Sequence, residues 1–200
     1  MDGLPSSPLL PGFRDPVADS QAAFRAVLDA TARPGKIVTL PGLAAGPTPL
    51  AVATATIVLT LLDHETSLWL DPAADNDPVR SWLRFHCGCP LRGAPFMAAF
   101  AIVADAVVMP TLSSFDQGTP EYPDRSTTVI LQVEALSNEG GWKLSGPGIK
   151  TSTNLKVEGL PKAFPSWVRD NRATFPCGVD LLLVAGDKVA ALPRSVRLEG

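Results

Sequence analysis

The sequence predicts an α/β fold: a mixed sheet with antiparallel hairpins, flanked by helices in three layers. In the first half of the chain, helical segments alternate with short apolar segments of the kind that form buried strands. That alternation favours parallel strands joined by helices. In the second half, turn residues separate consecutive apolar segments. This pattern indicates hairpins, which add antiparallel strands at the edges of the sheet.

Length and composition limit the class of protein. Two hundred residues suit one domain with a sizeable core, and a chain that is 46% hydrophobic and 18% charged is globular. A net charge of −3 without a basic tract argues against a nucleic-acid partner. The longest apolar run, 51–62, is too short to cross a membrane, and the first residues lack the pattern of a signal peptide. Three cysteines without disulfide spacing favour the reducing cytoplasm.

The first segments carry the signals of a helix start. Residues 1–12, rich in Pro, Ser and Gly, predict a flexible lead-in, and 13–200 form the single predicted domain. A helix is predicted over residues 16–31, capped by Asp15 or Asp19, whose carboxylates can accept hydrogen bonds from the first turn. Spacing at i, i+3, i+4 and i+7 predicts that one stripe of this helix is buried, formed by Phe24, Val27, Leu28 and Thr31.

Strands and helices then alternate. A short strand is predicted at 36–40, and a second helix at 51–62, with Thr48 as its cap. This helix is apolar on almost every side, so we expect it between layers, although its β-branched residues leave a strand possible. A buried strand at 67–70 precedes a helix that runs to residue 86, with Asp77 as its predicted cap and Pro78 at its first position.

The second half is predicted to be rich in strands. A strand at 98–103 is followed by segments 125–133 and 141–146, which predict a hairpin across the sequence SNEGG. A short helix is predicted at 164–172. Residues 179–193 predict a second hairpin that turns at its Gly-Asp pair.

The stretch SWLRFHCGCP places one histidine and two cysteines within four positions. His86, Cys87 and Cys89 are too close in sequence to bind one ion comfortably, and no second ligand pair accompanies them. A Cys–His nucleophile is less favoured still, because adjacent side chains on a helix diverge. The preferred interpretation is structural: Gly88 ends the helix, His86 caps it or packs against Trp82, and the cysteines are small buried residues. An independent metal enzyme is the disfavoured alternative.

A functional interpretation of this helix end stays open. Arg84 and His86 could point into an anion pocket, since a guanidinium binds phosphoryl oxygens bidentately. Asp180 begins an apolar strand, so its carboxylate needs a partner, and Arg194 on the neighbouring strand is the candidate. An ion pair at the sheet edge is the simpler interpretation, and a pair that faces substrate is the alternative.

The sequence SGPGIKTS, residues 145–152, is similar to a phosphate-binding loop. Its last glycine and its lysine are not adjacent, however, so the pattern of such loops is broken. Its place beside a predicted hairpin also differs from the strand-to-helix position of those loops. The segment therefore predicts a turn.

Six segments follow in a familiar order over nearly the whole chain from about Phe13: SQAAFRAVLDATARPGKIVTL, TATIVLTLLDHETSLWLD, LRFHCGCPL, FDQGTPEYPDRSTTVILQV, LSGPGI and FPCGVDLLLVAGDKVAALPRS. Together they resemble the PhnH family, a subunit of the bacterial carbon–phosphorus lyase machinery for phosphonate breakdown. Cys87 and Cys89 depart from the family pattern, in which Thr and Ala commonly stand. This departure supports the structural interpretation of both cysteines.

The resemblance implies a fold related to the large domain of pyridoxal-phosphate transferases, without the cofactor, so no cofactor is expected on this subunit. It also implies a homodimer and a core complex with PhnG, PhnI and PhnJ. With PhnG, PhnI and PhnL, the family supports displacement of adenine from ATP by a phosphonate, which yields a ribose 1-phosphonate 5-triphosphate. Catalysis of this step is ascribed to PhnI.

We therefore expect a non-autonomous cytoplasmic subunit of ribose 1-methylphosphonate 5-triphosphate synthase. In the functional version of this expectation, Arg84, His86, Asp180 and Arg194 line an anion-accepting cleft or a subunit contact. In the alternative version, the chain is a scaffold that touches no substrate.

Overall fold

The computed structural model describes residues 9–199. Most of the predicted lead-in therefore lies outside the described residues, and its flexibility stays a prediction. The helices in the described part are α1 (Pro16–Ala32), α2 (Val52–Leu61), α3 (Asp77–His86) and α4 (Phe164–Ala173). The strands are β1 (Val38–Thr39), β2 (Leu68–Leu70), β3 (Phe100–Val103), β4 (Thr128–Gln132), β5 (Ala135–Ser145), β6 (Thr153–Glu158), β7 (Asp180–Ala185), β8 (Lys188–Leu192) and β9 (Arg197–Glu199).

A six-stranded mixed sheet forms the centre of the fold, in the order β1-β8-β7-β4-β3-β2. Strands β2, β3, β4 and β7 run parallel, whereas β8 and β1 continue the sheet antiparallel. The mixed sheet and the hairpin β7–β8 are confirmed. Gly186 adopts a φ of 62° in the hairpin turn, a conformation that costs glycine little.

The hairpin predicted across SNEGG is wrong. Strand β4 pairs in parallel with β3 and β7, and its continuous apolar sequence suits a strand that is buried on both faces. The SNEGG residues lie inside β5, where the register shifts between Ser137 and Trp142. Gly140 and Gly141, each with a φ of 76°, allow this irregularity. The glycines that predict a turn between two strands therefore lie at an irregularity within one strand. Strand β5 belongs to a second sheet of order β6-β5-β9.

Two apolar clusters cover the two faces of the central sheet. Successive strand residues point to opposite faces, so Ile130 and Leu182 join one cluster, whereas Leu131 and Leu183 join the other. Helices α1, α2 and α3 supply the first cluster, and α4 with the second sheet supplies the other. The three layers are confirmed, with the difference that one outer layer combines a sheet and a helix.

Helix α1 is capped as predicted, but of the four residues predicted to form its buried stripe only Val27 is buried, and Thr31 is exposed. Asp15 accepts hydrogen bonds from the N–H groups of residues 17 and 18 at 3.1 and 3.0 Å. The buried positions are Ala23, Val27 and Ala30, whereas Phe24 is 48% exposed and Leu28 55% exposed. Small residues line the contact because they let α1 approach its neighbours closely.

Helix α2 is confirmed as a helix, with a different cap. It begins at Val52, and Thr48 makes no cap hydrogen bond to it. The side chain of Gln132 instead accepts from the N–H of Ala51 at 2.6 Å and donates to the Pro49 carbonyl at 3.1 Å. Gln132, distant in sequence, thus holds the segment before the helix, and the N–H of Ala53 in the first turn donates to the Gly186 carbonyl at 3.0 Å. Within the described residues, no helix is both long and apolar enough to span a membrane.

Asp71 ties together the ends of two parallel strands. It directly follows β2 and is buried, and its carboxylate accepts from the N–H of Ala74 at 2.8 Å. The other carboxylate oxygen accepts from the N–H groups of Ala104 and Asp105, both at 2.9 Å, just after β3. One carboxylate therefore satisfies three backbone donors where the chain leaves the sheet.

We predict that Asp71→Ala lowers the free energy of unfolding by about 3 kcal/mol, because it leaves these backbone donors without an acceptor. Asp124→Ala removes the same charge from an exposed position and should leave stability nearly unchanged. Urea unfolding of both variants measures the effect. Equal stability of the two variants would show that the tie contributes nothing.

Candidate functional site

One face of α3 borders an open cavity that contains two arginines. Arg80 and Arg84 line a space of about 300 Å³ together with Gly88, Cys89 and other residues at the end of the helix. Arg80 is engaged with Asp75, and this hydrogen bond raises the pKa of the guanidinium. Within residues 9–199, Arg84 forms no ion pair. Arg84 is therefore the cation in this cavity with capacity for an anion.

His86 does not share this cavity. Its ring lies 4.9 Å from that of Trp82, and its Nε2 donates to the Leu10 carbonyl at 3.0 Å. A Cβ added at Gly12 would lie 3.0 Å from Nδ1, so the incoming chain also covers the ring. The predicted packing on Trp82 is confirmed, and the structure separates His86 from Arg84.

The cysteines form the end of α3. The N–H groups of Cys87 and Gly88 donate to the Leu83 carbonyl at 2.9 and 3.0 Å, and Gly88 has a φ of 65°. A hydrogen bond with the Cys89 thiol, followed by burial, raises the pKa of Cys87. The same hydrogen bond lowers the pKa of Cys89. Within residues 9–199, no three His, Cys, Asp or Glu side chains cluster in a way that could hold a metal ion.

Asp180 and Arg194 form the predicted ion pair. The Nη2 atom of Arg194 lies 2.7 Å from Oδ2 of Asp180, and its Nε and backbone N–H donate to Oδ1 at 3.2 and 2.8 Å. Its Nη1 donates to the carbonyls of Pro123 at 2.5 Å and of Pro176 at 3.4 Å. The Arg194 side chain is only 14% exposed. This guanidinium therefore joins the start of β7 and the end of β8 to two surface loops.

The structure does not bring the four candidate residues together. Arg84 and the Asp180–Arg194 pair lie at the edge where the parallel strands begin, the first beside β2 and the second at β7. Strands β4 and β3 separate β7 from β2, which is about 14 Å at the usual strand spacing. Across the described residues, no hydrogen bond or ion pair links Arg84 or His86 to Asp180 or Arg194.

A basic groove at the end of α1 was missed by the sequence reasoning. The segment SGPGIKTS forms the predicted turn, between β5 and β6, and it contributes Lys150 to this groove. Arg33 and Lys36 approach from the other side. The hydroxyl residues after Lys150 are a sequence signal for an anion site. The other cations of the groove, Arg33 and Lys36, lie more than one hundred residues away in the sequence, so the signal alone does not reveal the groove.

Comparison with known proteins decides the family. A family model described as "Bacterial phosphonate metabolism protein (PhnH)" matches residues 11–199. The chain belongs to the PhnH family. A protein of Rhizobium meliloti (strain 1021) named "Alpha-D-ribose 1-methylphosphonate 5-triphosphate synthase subunit PhnH" is 43% identical over 189 residues, which cover 94% of each chain. A Stutzerimonas stutzeri protein provisionally named as the C-P lyase subunit protein HtxG is 32% identical over 187 residues, which cover 89% of this chain and 85% of that one.

Membership of the PhnH family confirms the resemblance drawn from the six sequence segments. The match includes all three layers of the fold, because it runs from before α1 into β9. It also includes both candidate pairs and the basic groove. The residues of these sites therefore belong to the part of the chain that the family shares.

We predict that Arg194→Ala lowers the free energy of unfolding by about 2 kcal/mol, because it leaves Asp180 without its partner and frees two loop carbonyls. Arg80→Ala breaks a more exposed pair and should change stability little. Thermal or urea unfolding compares the two. An Arg194 variant as stable as the Arg80 variant would contradict the structural role of the pair.

Proposed function

We propose that this chain is a non-autonomous subunit of ribose 1-methylphosphonate 5-triphosphate synthase in the carbon–phosphorus lyase core complex. In this role it supports the transfer of a phosphonate to ATP, with release of adenine, during the catabolism of organic phosphonates. The observation that carries the proposal is the match over 94% of both chains to a protein named as a subunit of that synthase. A second relative, named after C-P lyase, points to the same machinery.

Exposed apolar side chains support a subunit role. Phe85 at the end of α3 is 73% exposed, and Phe96 and Met97 in the connection to β3 are 62% and 54% exposed. This connection passes beside the start of β2, at the rim of the central sheet. Aromatic residues and methionine are enriched at protein interfaces, and an isolated protein gains nothing by exposing them. This rim is therefore a suitable place for contact with another subunit.

We further propose the partners and location that the family resemblance implies. The chain forms a homodimer and assembles with PhnG, PhnI, PhnJ and PhnL, with phosphonate and ATP as substrates of the complex. It carries no resident cofactor and acts in the cytoplasm; its three cysteines are thiols, which suits a reducing compartment. The fold is proposed to be related to the large domain of pyridoxal-phosphate transferases, and the largely parallel mixed sheet is compatible with that relationship.

The scaffold hypothesis is the second candidate. Asp180 and Arg194 are occupied by one another and by loop carbonyls, which favours a structural role for that pair. Arg84 differs, since it lines a cavity without an ion-pair partner among residues 9–199. The two candidates therefore make different predictions for Arg84.

We predict that Arg84→Ala leaves co-purification with the other subunits intact and lowers the rate of adenine release by the complex. The matched control is Arg169→Ala, which removes an exposed arginine from α4, in the opposite outer layer. Asp180→Asn is tested in parallel because it weakens the structural pair with Arg194. A fall in turnover that accompanies loss of folding in this variant shows what a purely structural effect looks like. Loss of assembly in the Arg84 variant would favour the scaffold, and unchanged assembly and turnover would remove Arg84 from the site.

A further inference from the structure

A basic groove lies where the end of α1 meets the loop between β5 and β6. It is an open cavity of about 310 Å³. Three cationic side chains line it: Arg33, Lys36 and Lys150. Three consecutive hydroxyl residues, Thr151, Ser152 and Thr153, complete one wall. The groove is therefore rich in groups that bind phosphoryl oxygens.

The walls of the groove are held together by direct contacts. Gly148 has a φ of 81°, and a Cβ at this position would collide with the carbonyl oxygen of Ala32. The loop therefore lies directly against the end of α1. The side chain of Asn138 donates to the carbonyls of Gly35 at 2.9 Å and Asn154 at 2.7 Å, which fixes both sides of the groove. A ligand would meet a site that is already formed, so binding would cost little ordering of the loop.

The charges in the groove do not cancel. Asp29 is shared by two of the cations: its Oδ2 lies 2.7 Å from Nζ of Lys36, and its other oxygen contacts Arg33. Lys150 forms no ion pair within residues 9–199. Three cations therefore face one carboxylate, in a chain whose net charge is −3. The positive excess is a local feature of the groove and not a property of the whole surface.

Hydrogen-bond donors are also available. The backbone N–H groups of Lys150, Thr151 and Ser152 donate no hydrogen bond to any acceptor in the described part of the chain. Together with the neighbouring hydroxyls, they add neutral donors to the three cationic groups. Successive backbone N–H groups in a turn are a recurrent feature of phosphate sites.

We propose that this groove binds a polyphosphate chain, of two or more linked phosphoryl groups, as carried by a nucleotide or a sugar triphosphate. Its volume lies at the lower end of the range for small-molecule sites, which suits such a chain. Three cationic side chains that come from two different segments match several phosphoryl groups better than a single one. The inference rests on the proposed function only for the identity of the ligand, which would be ATP or the ribose triphosphate product. The preference for a polyphosphate chain follows from the groove's own cations and hydrogen-bond donors.

The test is calorimetric titration of the full-length chain with inorganic triphosphate in low-salt buffer. We expect saturable binding that weakens as salt is added, because exposed charge pairs are screened. Lys150→Ala should weaken binding about fivefold, the upper end for an exposed charge pair. Lys162→Ala removes the same charge from an exposed position outside the groove and should bind like the wild type.

Two further ligands define the chemical class. Methylphosphonate, with one phosphoryl-like group, should bind far more weakly than triphosphate. ATP that binds more tightly than triphosphate would identify a nucleotide as the source of the polyphosphate chain. The assignment is overturned by any of three results: no saturable binding of triphosphate, equal binding of methylphosphonate, or a Lys150→Ala variant that binds like Lys162→Ala. The proposed function is tested by co-purification with the other subunits and by adenine release. It can therefore stand even if the groove does not bind triphosphate.

Discussion

Burial of the four parallel strands on both faces is the constraint on which the rest of the structure depends. β3, β4 and β7 pair with strands on both sides, β2 forms one edge, and the side chains alternate between two apolar clusters. Each cluster requires its own cover, so α1, α2 and α3 lie on one face and the second sheet with α4 lies on the other. The tie formed by Asp71 follows from the same constraint, because the chain must leave β2 and β3 without leaving backbone donors unsatisfied.

Covering both faces restricts polar chemistry to the rim of the sheet. Arg84 lies beside the start of β2, and the Asp180–Arg194 pair lies at the start of β7. The basic groove lies farther out, where α1 meets the second sheet. Polar and exposed apolar groups are thus spread around the fold rather than gathered at one centre. Such a distribution suits a subunit whose surface meets other proteins and their substrates.

Much of the fold was predictable because its signals are local. The cap of α1 and the turn of the last hairpin involve neighbours in sequence, as does the packing of His86 on Trp82. The predicted cap of α3 is wrong by one residue, because Asn76 and not Asp77 accepts the hydrogen bond from the first turn. The Asp180–Arg194 pair was predictable because the hairpin, which pairs Leu181 with Leu192, brings Arg194 to within one position of Asp180 across the two strands. The other errors have non-local causes. Gln132 on a distant strand holds the start of α2, and two glycines allow a register shift in β5 where the sequence indicates a turn. The basic groove was missed for the same reason, since α1 and the loop before β6 meet only in the folded chain.

We infer that this chain functions only in a complex, as a folded subunit of the synthase. Adenine release from ATP in the presence of methylphosphonate tests it most directly, measured for the isolated chain, for the other subunits without it, and for the reconstituted complex. We expect adenine release by the complete complex and none above background by the isolated chain or by the incomplete complex. Adenine release by the isolated chain, or an unchanged rate when the chain is omitted, would contradict it.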